Sequence, residues 1–265
     1  MSKHLIAAAA ALAAFGANAA LTAGDIAIIG RTNNTTPDAF SFVALSNIAA
    51  GESIYFTDNG WTGTGYRGAA ATDGDGSENL ARWTATSAVA AGTIISSTNA
   101  NFASTSTVVG TGVSQKFGNL DFATAGDQIN AFQTADTTNP LFNVANQTAL
   151  FAFDDTNGFE AASTSNTGGI PTGLTQGSTA VSVNFATGGT ISVKASVLAT
   201  LGNDKTAWLA AISNTANWAT ATALPTGSIS VASIPVTPSV PEPESYALAL
   251  ASLGLFGALA RRRSR

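Results

Sequence analysis

Apolar and polar residues alternate along most of this chain, and clusters of Gly, Asn, Asp and Thr interrupt the alternation roughly every eight to fifteen residues. A period of two puts successive side chains on opposite faces of a strand. It predicts strands over 25–30, 40–45, 53–57, 82–85, 93–97, 114–117, 128–132, 150–153 and 180–185, and a last one over 228–233. Ile54-Tyr55-Phe56 and Gln128-Ile129-Asn130-Ala131-Phe132 show the β-branched and aromatic enrichment of half-buried strands. Short strands without long helices between them predict a mainly β fold, a single β-sandwich of about nine or ten strands.

One stretch leaves that rhythm. Val197, Leu198 and Leu201, then Trp208, Leu209 and Ile212, recur at helical spacing. Gly202 is a helix stop and Asp204 an N-cap, so one or two short helices are expected over 194–213, capping the sandwich. Two segments echo each other: Ile48-Ala49-Ala50-Gly51 and Val89-Ala90-Ala91-Gly92, each a glycine turn before a strand. No fixed period continues, so they read as similar edges of one domain rather than as a repeat array.

Both ends lack a polar face. At the N-terminus, Lys3 and His4 precede an apolar run over 5–15 and then Ala17-Asn18-Ala19, the arrangement of a signal peptide, 1–19, cleaved after Ala19. At the C-terminus, Pro235, Pro238 and Pro241 mark an extended linker over 234–244. An uncharged run then reaches Ala260. As a helix the stretch 246–260 spans ~22 Å, short of a bilayer core of about 30 Å. Residue 245 and the snorkelling arginines that follow extend it, so 245–260 is expected to be a transmembrane helix. Arg261, Arg262 and Arg263 then fall in a cytoplasmic tail, 261–265, and the domain 20–233 lies outside.

Composition removes whole classes of chemistry. Between the two ends, six Lys and Arg face fourteen Asp and Glu, a net charge of −8. Such a domain is not expected to bind nucleic acid or an anionic lipid surface. There is no cysteine, which excludes thiol catalysis, Fe–S clusters and cysteine zinc sites, and leaves burial and hydrogen bonding to hold the fold. The one histidine, His4, sits in the leader, so the mature domain has no Ser-His-Asp triad and no histidine metal site.

Pro241-Glu242-Pro243, the apolar run and the terminal arginines, in that order and at that distance from the end, resemble the PEP-CTERM sorting signal of Gram-negative surface proteins. The resemblance spans 239–265. It implies recognition by an exosortase-type enzyme, cutting near 241–244 and passing an inner-membrane-anchored precursor to the envelope, cell surface or extracellular matrix. Pro241, Glu242, Pro243, Arg261, Arg262 and Arg263 are then a substrate tag. A second resemblance covers about 22–135. Gly24-Asp25-Ile26-Ala27, Phe42-Val43-Ala44-Leu45, Ile54-Tyr55-Phe56-Thr57-Asp58-Asn59-Gly60-Trp61, Ala91-Gly92-Thr93-Ile94 and Gly126-Asp127-Gln128-Ile129 are similar to lamin-tail-type domains. That likeness implies an immunoglobulin-like sandwich and leaves 136–235 unassigned.

Candidate chemistry is sparse. Gly63-Thr64-Gly65-Tyr66-Arg67-Gly68 fits the dinucleotide fingerprint, but the Gly- and Asp-rich stretch after it breaks the helix that would receive a pyrophosphate, so it reads as a surface loop. Asp73, Asp75 and Glu78 alternate with glycines and can wrap oxygens around Ca²⁺, with Asp58 and Asn59 as further ligands, or can form a solvated acidic loop. Asp154-Asp155 reads as a turn after a strand. Trp61, Tyr66 and Trp83 lie near these loops. Trp83 is expected in the core, while Trp61 is the exposed candidate for stacking on a sugar. The expectation is an exported, non-enzymatic protein, structural or adhesive in exopolysaccharide or biofilm, with no cofactor beyond possible calcium. A carbohydrate-binding module with a Ca²⁺-supported loop is the alternative, and a hydrolase working with carboxylates alone is a third reading.

Overall fold

The computed structural model describes residues 20–35, 38–67, 79–98, 107–109, 114–117, 120–161, 164, 166–185, 188–200 and 204–232. The leader expected over 1–19, the acidic loop with Asp73, Asp75 and Glu78, Gly202, and everything from 233 onward, where the linker, membrane helix and tag are expected, lie outside them. No helix among the described residues is long and apolar enough to cross a membrane.

The chain runs through β1 (Ile26–Thr32), β2 (Ala39–Ala44), β3 (Ser53–Thr57), β4 (Asn79–Thr84), β5 (Ile94–Ser96), β6 (Thr107–Val109) and β7 (Ser114–Phe117). It continues through β8 (Gln128–Thr134), β9 (Gln147–Asp154), β10 (Ala180–Ser182), β11 (Thr190–Val193), α1 (Ala195–Thr200), α2 (Lys205–Ser213) and β12 (Trp218–Ala221). Two sheets result, ordered β12-β11-β1-β2-β5 and β10-β9-β8-β3-β4-β7-β6. Pairing is antiparallel except where β10 joins β9 and β7 joins β4 in parallel. The molecule is mainly β and sandwich-like, as the alternation predicts.

The core lies between the sheets. Phe40 and Phe42 of β2 meet Phe56 of β3 at ring-centroid distances of 4.8 and 5.1 Å, and Phe42 meets Trp83 of β4 edge-on at 5.4 Å. Phe153 of β9 packs on Trp218 of β12 at 5.2 Å, closing the same layer farther along. Trp83 is 1% exposed, the core position expected of it.

Both sheets also carry material on their outer faces, which a plain sandwich would not. Ser41, between the inward Phe40 and Phe42, donates its hydroxyl to the Pro225 carbonyl at 3.1 Å. Residues 222–229 thus form a strap across the five-stranded sheet, tied down again where Ile94 N donates to Gly227 O at 3.0 Å. Gly30 makes room for it, since a Cβ there would sit 2.9 Å from Ser192 Cβ and 3.1 Å from Pro225 Cδ. This corrects the strand expected over 228–233. Among its described residues only Ser228 forms a bridge, to Thr93, flanked by the bonds Ile94 N to Gly227 O and Ile229 N to Gly92 O, so a single antiparallel bridge at the edge beside β5 stands where a full strand was expected.

On the seven-stranded sheet the outer face holds a second apolar cluster of Tyr55, Trp61, Tyr66, Leu80, Phe132 and Leu141. Tyr55, Phe132 and Tyr66 stack in series at 5.6 and 5.5 Å, and Trp61 closes the row edge-on against Tyr66 at 5.0 Å. The helical region matches its prediction. Asp204 caps α2 by accepting from Thr206 N, and Trp208, Leu209 and Ile212 are buried. The two echoing turns pair with each other: Ile48 and Val89 exchange both backbone hydrogen bonds, and Gly51 and Gly92 hold φ of 88° and 93°. β11 and β12, which the sequence reading leaves unmarked, are only four residues each, TISV and WATA.

Candidate functional site

Carboxylates gather where β3 ends, β8 begins and β9 ends. Antiparallel registers through Thr57↔Asn130 and Gln128↔Asp154 bring these three strand ends to the same end of the sheet. Asp58, Asp127, Asp154 and Asp155 therefore converge, each at most 3% exposed. Every one has a partner. Asp58 accepts from the backbone N–H of Asn79 at 2.7 Å and of Asp121 at 3.0 Å. Asp127 accepts from Ala123 N and Gln128 N, both at 2.8 Å. Asp38 takes Phe122 N at 2.7 Å, so three successive backbone donors of the 120–128 loop end on three different carboxylates.

Asp155 faces the one guanidinium in the cluster. Its Oδ2 accepts from Arg31 Nε at 2.6 Å and from Nη2, while its Oδ1 accepts from Asp127 N at 2.6 Å. Arg31 is itself 1% exposed and belongs to the opposite sheet, so the pair ties the two layers together. Asp154 Oδ1 accepts from Thr156 N at 2.9 Å and Thr156 Oγ1 at 2.8 Å, and its Oδ2 from Thr167 Oγ1 at 3.3 Å. Burial raises the Asp58 carboxyl to about 7 against the pull of its backbone donors, with Asp121 nearby adding to the rise. Burial likewise raises Asp154 to about 7, with the neighbouring Asp155 charge contributing.

Perturbed carboxyls often mark active sites. Here they line neither of two surface pockets found elsewhere on the domain. Hydrolysis by paired acids needs two carboxyls flanking a cleft that admits substrate. These instead accept backbone and hydroxyl donors in the interior, and their visible work is to hold the 120–128 and 155–167 loops. The pair Asp154-Asp155, expected as a simple turn, is the buried centre of this network.

The pockets are elsewhere. One, of about 720 Å³, is a mainly apolar groove between the strap and α1, lined by Val193, Leu198, Leu224 and Ile229 with Lys194 at its rim. The other, of about 440 Å³, lies where Ala20 meets Glu52, Gln133, Thr137, Asn146 and Thr148. Glu52 is the carboxylate among the residues that line either.

The expected site residues fall out as follows. Asp73, Asp75 and Glu78 lie outside the described residues. Asp58 and Asn59, expected as further calcium ligands, are buried at the end of β3. Both Asp58 oxygens hold backbone N–H groups, Asn59 Nδ2 donates to Thr57 Oγ1 at 2.6 Å, and Asn59 O accepts from Asn130 Nδ2 at 3.1 Å. No group of three His, Cys, Asp or Glu that could hold a metal occurs among the described residues. Trp61 is corrected outright: it is 6% exposed and packed into the outer aromatic row, so no sugar can stack on it. Its burial follows from the 61–67 loop folding back, with Trp61 bridged to Tyr66, Thr62 N bonded to Gly65 O and Gly63 at φ 96°. That tight turn bears out the surface-loop reading of the glycine-rich segment over its described part.

The residues that carry an address are at the other end. Residues 239–264 match the model of the PEP-CTERM protein-sorting motif. The chain carries a PEP-CTERM sorting signal. The match encloses Pro241, Glu242 and Pro243 and reaches the arginine cluster Arg261, Arg262 and Arg263, the same tag that the sequence pattern marks out. This signal implies export and exosortase-type processing, and with them an exported, envelope-associated protein. No curated protein and no solved structure matches the chain, so the likeness to lamin-tail-type domains gains no support.

Proposed function

We infer that this chain is a non-enzymatic protein of the bacterial surface or extracellular matrix, structural or adhesive within exopolysaccharide or biofilm. The sorting signal over 239–264 carries the reading. A cysteine-free, acidic β domain suits that setting, because its stability rests on burial and hydrogen bonds that no redox change can undo. The leader 1–19 brings the chain to the membrane, the segment 245–260 holds it there, and the exosortase-type enzyme releases it near 241–244. The buried state of Trp61 takes away the stacking residue of the alternative, a carbohydrate-binding module with a Ca²⁺-supported loop.

The test is the intact mass of the mature protein from fractionated cells, beside a variant with Pro241, Glu242 and Pro243 all replaced by Ala. The expected wild-type chain ends near 241–244 and cofractionates with the surface or matrix, while the variant keeps Arg265 and stays in the membrane. A wild-type chain that retains Arg265 in the membrane would sink the release step. Processed protein found free in the medium, with no retention by isolated exopolysaccharide, would sink the matrix role.

A further inference from the structure

The first residues after the predicted leader are seated with unusual care. Leu21 is 4% exposed and belongs to the main core, whereas Ala20 is exposed. The boundary between buried and exposed chain thus falls one residue beyond Ala19, the predicted cleavage position. Leu21 N donates to Gln133 Oε1 at 3.1 Å. The other end of that amide, Nε2, donates to Glu52 Oε2 at 2.8 Å and to Ser53 O at 3.1 Å. A single side chain on β8 therefore fixes both the incoming backbone and the Glu52 carboxylate. The turn Thr22–Asp25 behind it is closed as well, since Asp25 Oδ2 accepts from Thr22 N at 2.6 Å and Oδ1 from Lys205 Nζ at 2.5 Å.

Ala20 and Glu52 line the same open pocket of about 440 Å³. The other titratable group in that lining is Tyr55, buried beneath it. Asp136, on the neighbouring turn, is occupied by Thr138 N, Asn139 N and Asn143 Nδ2. Glu52 is thus the carboxylate in the pocket lining that Ala20 shares.

We propose that cleavage after Ala19 creates a binding pair at this pocket, in which the new α-ammonium of Ala20 docks on the Glu52 carboxylate. Before cleavage the same nitrogen is an uncharged amide. The sandwich can therefore form around Leu21 while still tethered. Cleavage then adds a positive charge beside a carboxylate that Gln133 already holds in place. The domain carries a maturation-dependent clamp on its first residue. The idea rests on the export reading above, but on the N-terminal event and not on C-terminal sorting.

The test uses the full chain exported with its own leader and purified in detergent. Competitive acetylation across pH 6–10, read by mass spectrometry of the N-terminal peptide, gives the titration of the Ala20 amine. Free α-amino groups titrate at about 7.7–8.0. The wild-type amine should titrate at least one pH unit higher, reacting about tenfold more slowly near neutrality. Glu52→Gln should return it to the ordinary range, and Glu52→Asp should give an intermediate value. Tryptophan fluorescence confirms that each variant is folded. An ordinary titration in the wild type, a raised one that survives Glu52→Gln, or a mature chain that begins anywhere but Ala20 overturns the proposal. Because C-terminal processing is read from a different peptide, a failure here leaves the sorting result standing.

Discussion

Asp154 accepts hydroxyl and backbone donors with no exposed surface, and burial lifts its carboxyl to about 7. Asp58 is raised to about 7 for the same reason. An unfolded Asp titrates near 3.9. Between about pH 4 and 7 the folded state therefore holds protons that the unfolded state has released, and stability falls as pH rises through that window. Asp25, lowered by Lys205 and its hydroxyl donors in spite of burial, works in the opposite sense: its contribution is lost only as pH drops below about 4. Urea unfolding from pH 4.5 to 8.5 should show a decline on the order of a few kcal/mol that levels off above about pH 7.5. Asp154→Asn should flatten part of it. A neutral amide can donate to Thr167 Oγ1, which in turn is 3.3 Å from Gly158 O. A rising profile over the same range would contradict the assignment. Trp61→Ala belongs to this scale too. Removing a buried indole from the outer aromatic row should cost about 3–5 kcal/mol by urea unfolding.

At the level of elements, the echoing glycine turns show how local pattern and long-range contact combine. Gly92 is needed twice, for its φ of 93° and because a Cβ would lie 2.1 Å from Ile229 O. Gly51, with the same conformation, has nothing within reach of a Cβ. Gly92→Ala should therefore lower the melting temperature well beyond Gly51→Ala, for which only the cost of the left-handed backbone remains, about 1–2 kcal/mol. Equal shifts would mean that the strap does not press on the turn. The cap of α2 is a smaller device, and Asp204→Ala should cost about 1 kcal/mol. The sequence echo itself foretells both turns. Their pairing through Ile48 and Val89, and the strap above Gly92, are contacts that periodicity cannot express.

For the whole molecule, the ion pair of Arg31 with Asp155 joins the five-stranded layer to the seven-stranded one. Breaking a buried pair leaves an uncompensated charge and typically costs 3–5 kcal/mol, whereas replacing both partners by apolar groups costs far less. Arg31→Met should accordingly be strongly destabilising at pH 8. Arg31→Met with Asp155→Leu should recover most of the loss, measured as a double-mutant cycle. If the double variant is as unstable as the single one, the pair contributes through hydrogen bonds to the Asp127 loop more than through charge.

Much of this protein is written locally. Alternation gives the strands of both inner faces, helical spacing with Asp204 gives α2, and the order of Pro-Glu-Pro, apolar run and arginines gives the address, because each depends only on neighbours in the chain. The short strands β11 and β12 escape that reading, since four residues are too few to establish a period and become a sheet by pairing with β1 and each other. The second covering layer is likewise invisible in sequence. Trp61 looks like an exposed loop aromatic until the 61–67 turn lays it against Tyr66, and Asp154-Asp155 looks like a solvated turn until Arg31 arrives from the other sheet, 124 residues away in the chain. Sequence alone reveals the sorting signal, because such a tag is read as a linear string. Only the tertiary structure decided which aromatics and carboxylates are spent on the fold, because burial is a property of partners brought together from distant positions.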